Sequence, residues 1–234
     1  MAGDWWAPIC AYCERSDPGF WAEPVNALSN GAFLAASAAV VWRIRRSERS
    51  DGPALLLGAL MAVVGLGSFL FHTLAVRWSL LADVIPIALF IHGYVLLVLR
   101  RFFGLGLAPA LLATLAFAAF GFGLEPALDA LTGRSTEVLT NGSVAYLPAI
   151  LALAGVAAGL LRPQACALGP ARAEAGRALL WIAALFCLSL TLRTLDRAIC
   201  PVWPLGTHAL WHVLNAGVLF GLTLTAVRYR RRGA

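Results

Sequence analysis

Long uninterrupted apolar runs constrain this 234-residue chain more than any other feature of its sequence. Hydrophobic residues make up 60% of the chain, charged residues only 13%, and the mean hydropathy is +0.79. A bilayer core of about 30 Å requires roughly 20 apolar residues per spanning helix, and no backbone amide can stay unpaired in lipid. The runs meet this length and are too uniform for barrel strands. The sequence therefore predicts an all-α, multi-pass membrane protein.

Seven such runs predict a bundle of seven transmembrane helices. The sixth run is short, and Pro86 and Pro148 predict kinks in the third and fifth helices. The runs extend over Val25 to Trp42, Ala54 to Leu74, Ser79 to Leu99, Leu105 to Leu124, Gly142 to Leu161, Ala178 to Leu192 and Gly206 to Val227.

Arginine positions predict the orientation of the bundle, because the chain contains no lysine among its 18 basic residues. Most of these arginines follow the first, third, fifth and seventh helices, and the positive-inside rule places that side in the cytoplasm. The amino terminus is then outside and the carboxyl terminus inside. The arginines on the predicted cytoplasmic side are Arg43, Arg45, Arg46, Arg49, Arg100, Arg101, Arg162, Arg172, Arg177, Arg228, Arg230, Arg231 and Arg232.

A single domain, residues 1–234, accounts for the whole chain: an extracytoplasmic segment (1–24), the helix bundle (25–227) and a basic cytoplasmic tail (228–234). The net charge of +6 is spread over short loops, so it is a topological signal rather than a nucleic-acid-binding patch. Lysine-free, alanine- and arginine-rich usage is typical of a GC-rich bacterial genome, and we expect the bacterial inner membrane. The oligomeric state is left open.

Three histidines near the outer helix ends form the main candidate site. His208 and His212 are four residues apart, so on a helix they share one face about 6 Å apart along the axis. The arginine-based topology places His72 at the same outer depth. Three neutral imidazoles with an open fourth position are typical of a catalytic zinc site. The alternative is hydration or hydrogen bonding of each ring at a helix end.

Two further polar residues lie in the same layer. Ser68 is one turn before His72, and its alternative role is close helix packing beside Gly65 and Gly67. Asp83 begins the third helix, where an unpaired carboxylate is costly; its alternative role is to orient a histidine. His92 lies on the opposite face from Asp83 and roughly 13 Å deeper, so we expect a structural role for it.

Cysteines on the predicted outer side permit a disulfide. Cys200 paired with Cys13 or with Cys10 would tie the amino-terminal segment to the loop before the histidine pair. The alternative is free or differently paired thiols.

The histidine, serine and aspartate motifs together resemble the alkaline ceramidase family, seven-helix intramembrane zinc amidases in a superfamily that includes adiponectin-receptor-like proteins. The resemblance covers essentially the whole chain, in order and topology. The motifs that carry it are Gly67 to Leu74, Leu81 to Pro86 and His208 to His212, with Tyr12 to Glu14, Glu23 to Asn30 and Asp196 to Cys200 as supporting signatures.

This resemblance implies a role for each candidate. His72, His208 and His212 would bind zinc. Asp83 would orient or deprotonate the water, and Ser68 would help to hold the developing oxyanion. Hydrolysis of a ceramide-like membrane lipid would then release a fatty acid and a sphingoid base.

Calcium is a further expectation from the resemblance, because an acidic amino-terminal segment binds it in eukaryotic ceramidases. Glu14 and Glu23 stand at two of the ligand positions, and Asn26 would join them or cap the first helix. The match weakens at Ala11, where an acidic ligand is expected, and at Arg15, whose charge opposes a divalent cation. The alternative is a solvated acidic segment.

Two other functions stay open at this point. One is a related lipid hydrolase acting on an ester or a different amide. The other is a ligand-sensing receptor whose zinc is structural, which the short, basic inner loops and tail disfavour because a receptor needs a sizeable cytoplasmic signalling region.

Overall fold

A computed structural model describes residues 4–47, 50–163 and 170–229. Its regular elements in those ranges are helical, with one isolated β-bridge between Pro8 and Val76. The helices are α1 (Pro24–Ser29), α2 (Gly31–Arg45), α3 (Gly52–Leu74), α4 (Arg77–Arg101), α5 (Leu107–Thr132), α6 (Thr136–Leu139), a 3₁₀ turn (Ser143–Tyr146), α7 (Leu147–Leu161), α8 (Pro170–Ile199) and α9 (His208–Arg228).

Seven spans among the described residues are long and apolar enough to cross a membrane, with α1 and α2 forming the first span together. The predicted fold class is therefore confirmed. The sixth apolar run, Ala178 to Leu192, lies within a longer helix: α8 has 30 residues and is the longest helix described. Polar residues continue it at both ends, because an apolar run marks the lipid-embedded part of a helix and not its full length.

Proline acts differently at the two predicted kink sites. Pro86 lies inside α4, as expected. Pro148 lies in the first turn of α7, where the missing N–H has no helical partner to lose, so it begins this helix rather than kinking it.

The hairpin of α3 and α4 is held at both ends. At the open end, the Asp51 side chain caps α3 by accepting from the N–H of Ala54 at 3.1 Å and pairs with Arg101 at the end of α4 at 2.5 Å. At the closed end, Ala75 has a left-handed conformation with φ 46°, and Ser79 accepts from the N–H of Val76. The two-residue connection makes α3 and α4 antiparallel neighbours.

Burial is greatest along α9 and α3 and least along α5, most of whose surface is exposed. Helices in a membrane associate through close packing and not through a hydrophobic driving force, so small residues matter at their contacts. The two most enclosed spans are the ones that carry the candidate histidines. Large, fully buried residues in this packing include Phe33, Met61, Val64, Phe90, Leu160, Leu179 and Val218.

The two ends of the bundle differ in character. We call the end that holds His72 and His208 the histidine end, and the opposite end, where α2 and α4 finish, the arginine end. Arg49 and Arg230 to Arg232 of the orientation argument lie outside the described residues. Which membrane face each end meets stays a prediction.

Candidate metal centre

Three histidines from two helices converge at the histidine end. His72 comes from the last turn of α3, and His208 and His212 from the first turns of α9. Their rings are buried, and each offers a nitrogen such that these nitrogens lie within 4.8 Å of one another. Nε2 of His72 and Nδ1 of His208 are buried without a hydrogen-bond partner in the described part of the chain. Unpartnered buried nitrogens are what a metal ion would satisfy, so this donor set fits one.

Glu23 fixes the orientation of His72. Its Oε2 lies 2.6 Å from Nδ1 of the His72 ring, and both side chains are buried. Burial raises the pKa of the Glu23 carboxyl, but hydrogen bonds from His72, Arg15 and Asn26 outweigh it, so this pKa lies below its usual value. The ionised carboxylate accepts the Nδ1 proton and leaves the Nε2 lone pair free for a ligand.

Ser29 plays the corresponding part for His212. The Ser29 hydroxyl donates its hydrogen to the carbonyl oxygen of Asn26 at 2.7 Å. Its oxygen, 2.7 Å from Nδ1 of His212, therefore accepts from that nitrogen. His212 is thus held with Nε2 unprotonated and directed at the site. Sequence reasoning missed Ser29, because no local pattern indicates a contact between residues 183 apart.

His208 is positioned by Tyr12 and Asp196. Its ring stacks on Tyr12 with the ring centroids 3.6 Å apart. Oδ1 of the buried Asp196 accepts from the backbone N–H groups of Thr207 at 2.7 Å and His208 at 3.0 Å, so it caps the start of α9 from a distance. Gly206 makes this approach possible, because a Cβ there would collide with Oδ1 of Asp196.

Ser68 and Asp83, the two other candidate residues, lie next to the histidines. The Ser68 hydroxyl is 3.5 Å from Nε2 of His212 and lies beside the Asp83 side chain. Oδ1 of Asp83 is buried without a partner in the described residues. This arrangement leaves one carboxylate oxygen available for a proton.

Gly67 brings these two residues together. A Cβ at Gly67 would collide with the carbonyl oxygen of Ala82, one residue before Asp83. The small side chain lets α3 and α4 approach closely at this level. Close helix packing, the alternative role of Ser68, therefore belongs to Gly67. This packing places Ser68 beside Asp83.

The amino-terminal segment is attached to the start of α1 through Glu14. Both oxygens of Glu14 accept backbone N–H groups at the start of that helix, from Val25 at 2.7 Å and from Asn26 at 2.8 Å. The three candidate calcium ligands, Glu14, Glu23 and Asn26, are thus neighbours, and calcium at these residues stays an untested prediction.

A disulfide joins Cys13 to Cys200 with a Cα–Cα distance of 5.3 Å. Of the two pairings left open by the sequence, this is the one present, and Cys10 is a free thiol. The backbone N–H of Cys13 also donates to Oδ2 of Asp196 at 3.1 Å. The segment that carries Tyr12 is therefore fastened covalently and by hydrogen bonding to the loop before α9.

A comparison with protein families identifies the family of this chain. The family model described as Ceramidase matches residues 11–231, nearly the whole chain. The chain belongs to the ceramidase family. This confirms the resemblance read from the motifs, and the ceramidase family implies an amidohydrolase that acts on lipid. A search of the curated proteins found no match to this ceramidase-family chain.

Proposed function

We propose that this protein is a zinc-dependent intramembrane hydrolase that cleaves the amide bond of ceramide-like lipids to a fatty acid and a sphingoid base. The observation that carries the proposal is the buried histidine triad, with unpartnered nitrogens on His72 and His208, in a member of the ceramidase family. Without a ligand, such buried polar atoms would each cost about 1–3 kcal/mol.

Zinc is the metal that best matches these donors. Three imidazoles are the ligands of many catalytic zinc sites, and harder ions such as magnesium and calcium prefer oxygen. When bound, zinc supplies Lewis-acid polarisation of a carbonyl and lowers the pKa of water to about 7. Hydrogen bonds from the rings of His72 and His212 to Glu23 and Ser29 keep both imidazoles in the ligand tautomer.

Asp83 and Ser68 supply the proton transfer and the charge stabilisation. Asp83 takes a proton from the attacking water through its free Oδ1 and passes it to the departing amine nitrogen as the C–N bond breaks. The Ser68 hydroxyl donates a hydrogen bond to the oxygen of the tetrahedral intermediate. Both side chains are buried, which strengthens these interactions by excluding water.

Two cavities fit the hydrocarbon chains of such a lipid. The first has an apolar lining, and the second is lined by apolar residues together with Glu125, Asp129, Glu137 and Arg193. The first, about 550 Å³, is lined by Ile87 and Asn215, which lie one helical turn beyond Asp83 and His212. The second, about 1020 Å³, shares Ile87 and Tyr146 with the first and extends along α4 and α5. A lipid with two chains would have its amide near the histidines and its chains in these cavities.

The orientation argument completes the proposal. If the arginine end faces the cytoplasm, as the positive-inside rule predicts, the histidine end lies in the extracytoplasmic leaflet. We therefore expect a multi-pass protein of the bacterial inner membrane whose substrate comes from the outer half of the bilayer.

Metal analysis combined with a lipid panel tests this function. The protein is purified in detergent, its zinc is measured, and release of fatty acid is followed with ceramides, other acylated amides and ester lipids. We expect about one zinc per chain and release from ceramides in preference to esters. Preferential ester cleavage would indicate the related lipid hydrolase, and bound zinc with no release from any lipid would favour the receptor; either result contradicts the proposal.

Histidine variants test the ligand assignment. His72→Ala and His212→Ala should lose zinc and turnover together. His92→Ala is the matched control for zinc content, since Nδ1 of His92 bonds the carbonyl oxygen of Ala88 at 2.7 Å, within α4. If His72→Ala retained full zinc, the triad would not be the metal site.

A further inference from the structure

Arg15 is buried at the histidine end among oxygen atoms, although it belongs to the amino-terminal segment. Its Nε donates to Oε1 of Glu23 at 2.5 Å, and Nη2 donates to the carbonyl oxygen of His72 at 2.9 Å. Nη1 donates to the carbonyl oxygens of Asp17 at 3.2 Å and Gly19 at 3.4 Å. We call these four oxygens, from Asp17, Gly19, Glu23 and His72, the Arg15 cage.

The Arg15 cage has the chemistry of a calcium site. Calcium in proteins is bound by carboxylates and backbone carbonyls, which are the two kinds of atom present here. A guanidinium occupies the centre of this oxygen set, and its fixed positive charge would repel a divalent cation. The carboxylate of Glu14 does not compensate, because both of its oxygens accept backbone N–H groups at the start of α1. The Arg15 cage therefore does not fit calcium.

We propose that Arg15 takes the place of a structural divalent cation, and that it positions the metal ligand His72. The guanidinium reaches His72 by two routes. It holds the carbonyl oxygen of His72 directly, and it holds Glu23, whose other oxygen bonds Nδ1 of the His72 ring. One cation thus restrains both the backbone and the imidazole of the same ligand.

The ion pair between Arg15 and Glu23 is buried. The side chains of Arg15 and Glu23 are 5% and 3% exposed. Removing Arg15 or Glu23 would leave the other as an uncompensated buried charge. A calcium ion from solution could not enter the Arg15 cage, because the guanidinium already fills it. The inference goes beyond the proposed lipid hydrolysis, and it can be tested without any substrate.

Calcium binding by the wild-type protein is the first test. Equilibrium dialysis with radioactive calcium, up to about 1 mM, covers the affinity range of extracellular calcium sites. We expect no bound calcium and no change in melting temperature on its addition. Stoichiometric binding, or a melting temperature raised by calcium, would overturn the proposal.

Arg15 variants are the second test, with zinc affinity as the readout. Arg15→Gln should weaken zinc binding about tenfold, as loss of an outer partner does at other metal sites. Arg15→Lys keeps the charge but cannot reach all four oxygens, so it should fall between the wild type and Arg15→Gln. The matched control, Arg77→Gln, changes an exposed arginine near the same end of the bundle.

Cobalt substitution separates positioning of His72 from general destabilisation. The ligand-field spectrum of the cobalt-loaded protein should shift in Arg15→Gln and remain unchanged in Arg77→Gln, because the spectrum reports the orientation of the ligands. If Arg15→Gln fails to fold, the Arg15→Lys variant still tests the positioning of His72. The calcium measurement on the wild type still tests whether Arg15 replaces a cation. An Arg15→Gln protein with the zinc affinity and cobalt spectrum of the wild type would refute the positioning role.

Discussion

Glu23 and His72 are linked across 2.6 Å between a carboxylate oxygen and Nδ1, although they lie 49 residues apart in the chain. Glu23 precedes α1, and His72 lies in the last turn of α3. The contact connects the amino-terminal segment to the metal centre. A residue predicted as a calcium ligand therefore holds a histidine of the proposed zinc site.

Replacement of Glu23 should weaken the metal site. Glu23→Gln keeps the size of the side chain but removes the charge that accepts the Nδ1 proton, so we expect zinc affinity to fall about 10- to 100-fold. Zinc affinity is measured by competition with a chelator on folded protein. Glu174→Gln is the control, since this glutamate bonds Tyr229 at the arginine end. Equal affinity in the two variants would show that Glu23 does not orient His72.

Two glycines with the same backbone conformation should respond differently to alanine. Gly206 and Gly133 both have φ 66°, but a Cβ at Gly206 would collide with Asp196, whereas nothing lies within 4 Å of one at Gly133. Gly133→Ala should cost only the backbone strain, about 1–2 kcal/mol. Gly206→Ala should lower the melting temperature further and also reduce zinc content, because Asp196 caps the helix that carries His208 and His212. Equal loss in both variants would contradict the role given to Asp196.

Close packing of α3 and α4 should be required for activity. Gly67→Ala would push the carbonyl of Ala82 away and displace Ser68 from Asp83. Misplacement of catalytic groups by about 1 Å can lower turnover about 100-fold, and we expect a loss of this size. Gly123→Ala, in the middle of α5 with nothing within 4 Å of the added atom, should leave turnover unchanged. The measurement is fatty-acid release at saturating lipid; a fully active Gly67→Ala would be incompatible with this account.

The sequence predicted the three candidate histidines but not the residues that orient them. Helical spacing pairs His208 with His212, and arginine counting predicts the depth of His72, so local patterns were enough to group these three histidines. Ser29 contacts His212 across 183 residues, a tertiary contact that no periodicity encodes. Asp196 stood in a recognised motif, but its role depends on how closely the loop at Gly206 approaches it, and only the folded chain shows this.

The bounds of the helices were also only partly predictable from the sequence. Hydropathy located all seven spans, because lipid imposes one length and one composition on each. It missed the polar ends of α8, where Arg177 and Asp196 continue the helix beyond the apolar run. Helical hydrogen bonding continues wherever residues have partners or water, so the apolar limit and the helical limit need not coincide.

Asp83→Asn should separate chemistry from metal binding. The amide has nearly the same shape as the carboxylate but cannot take a proton from water, so we expect turnover to fall about 10²- to 10⁴-fold with zinc content unchanged. Zinc analysis and fatty-acid release are measured on the same preparation. Asp4→Asn serves as the control, because Asp4 is exposed and caps a turn at Trp6, outside the site. Loss of zinc together with turnover would assign Asp83 to orienting the histidines. Full turnover would show that Asp83 takes no part in the reaction.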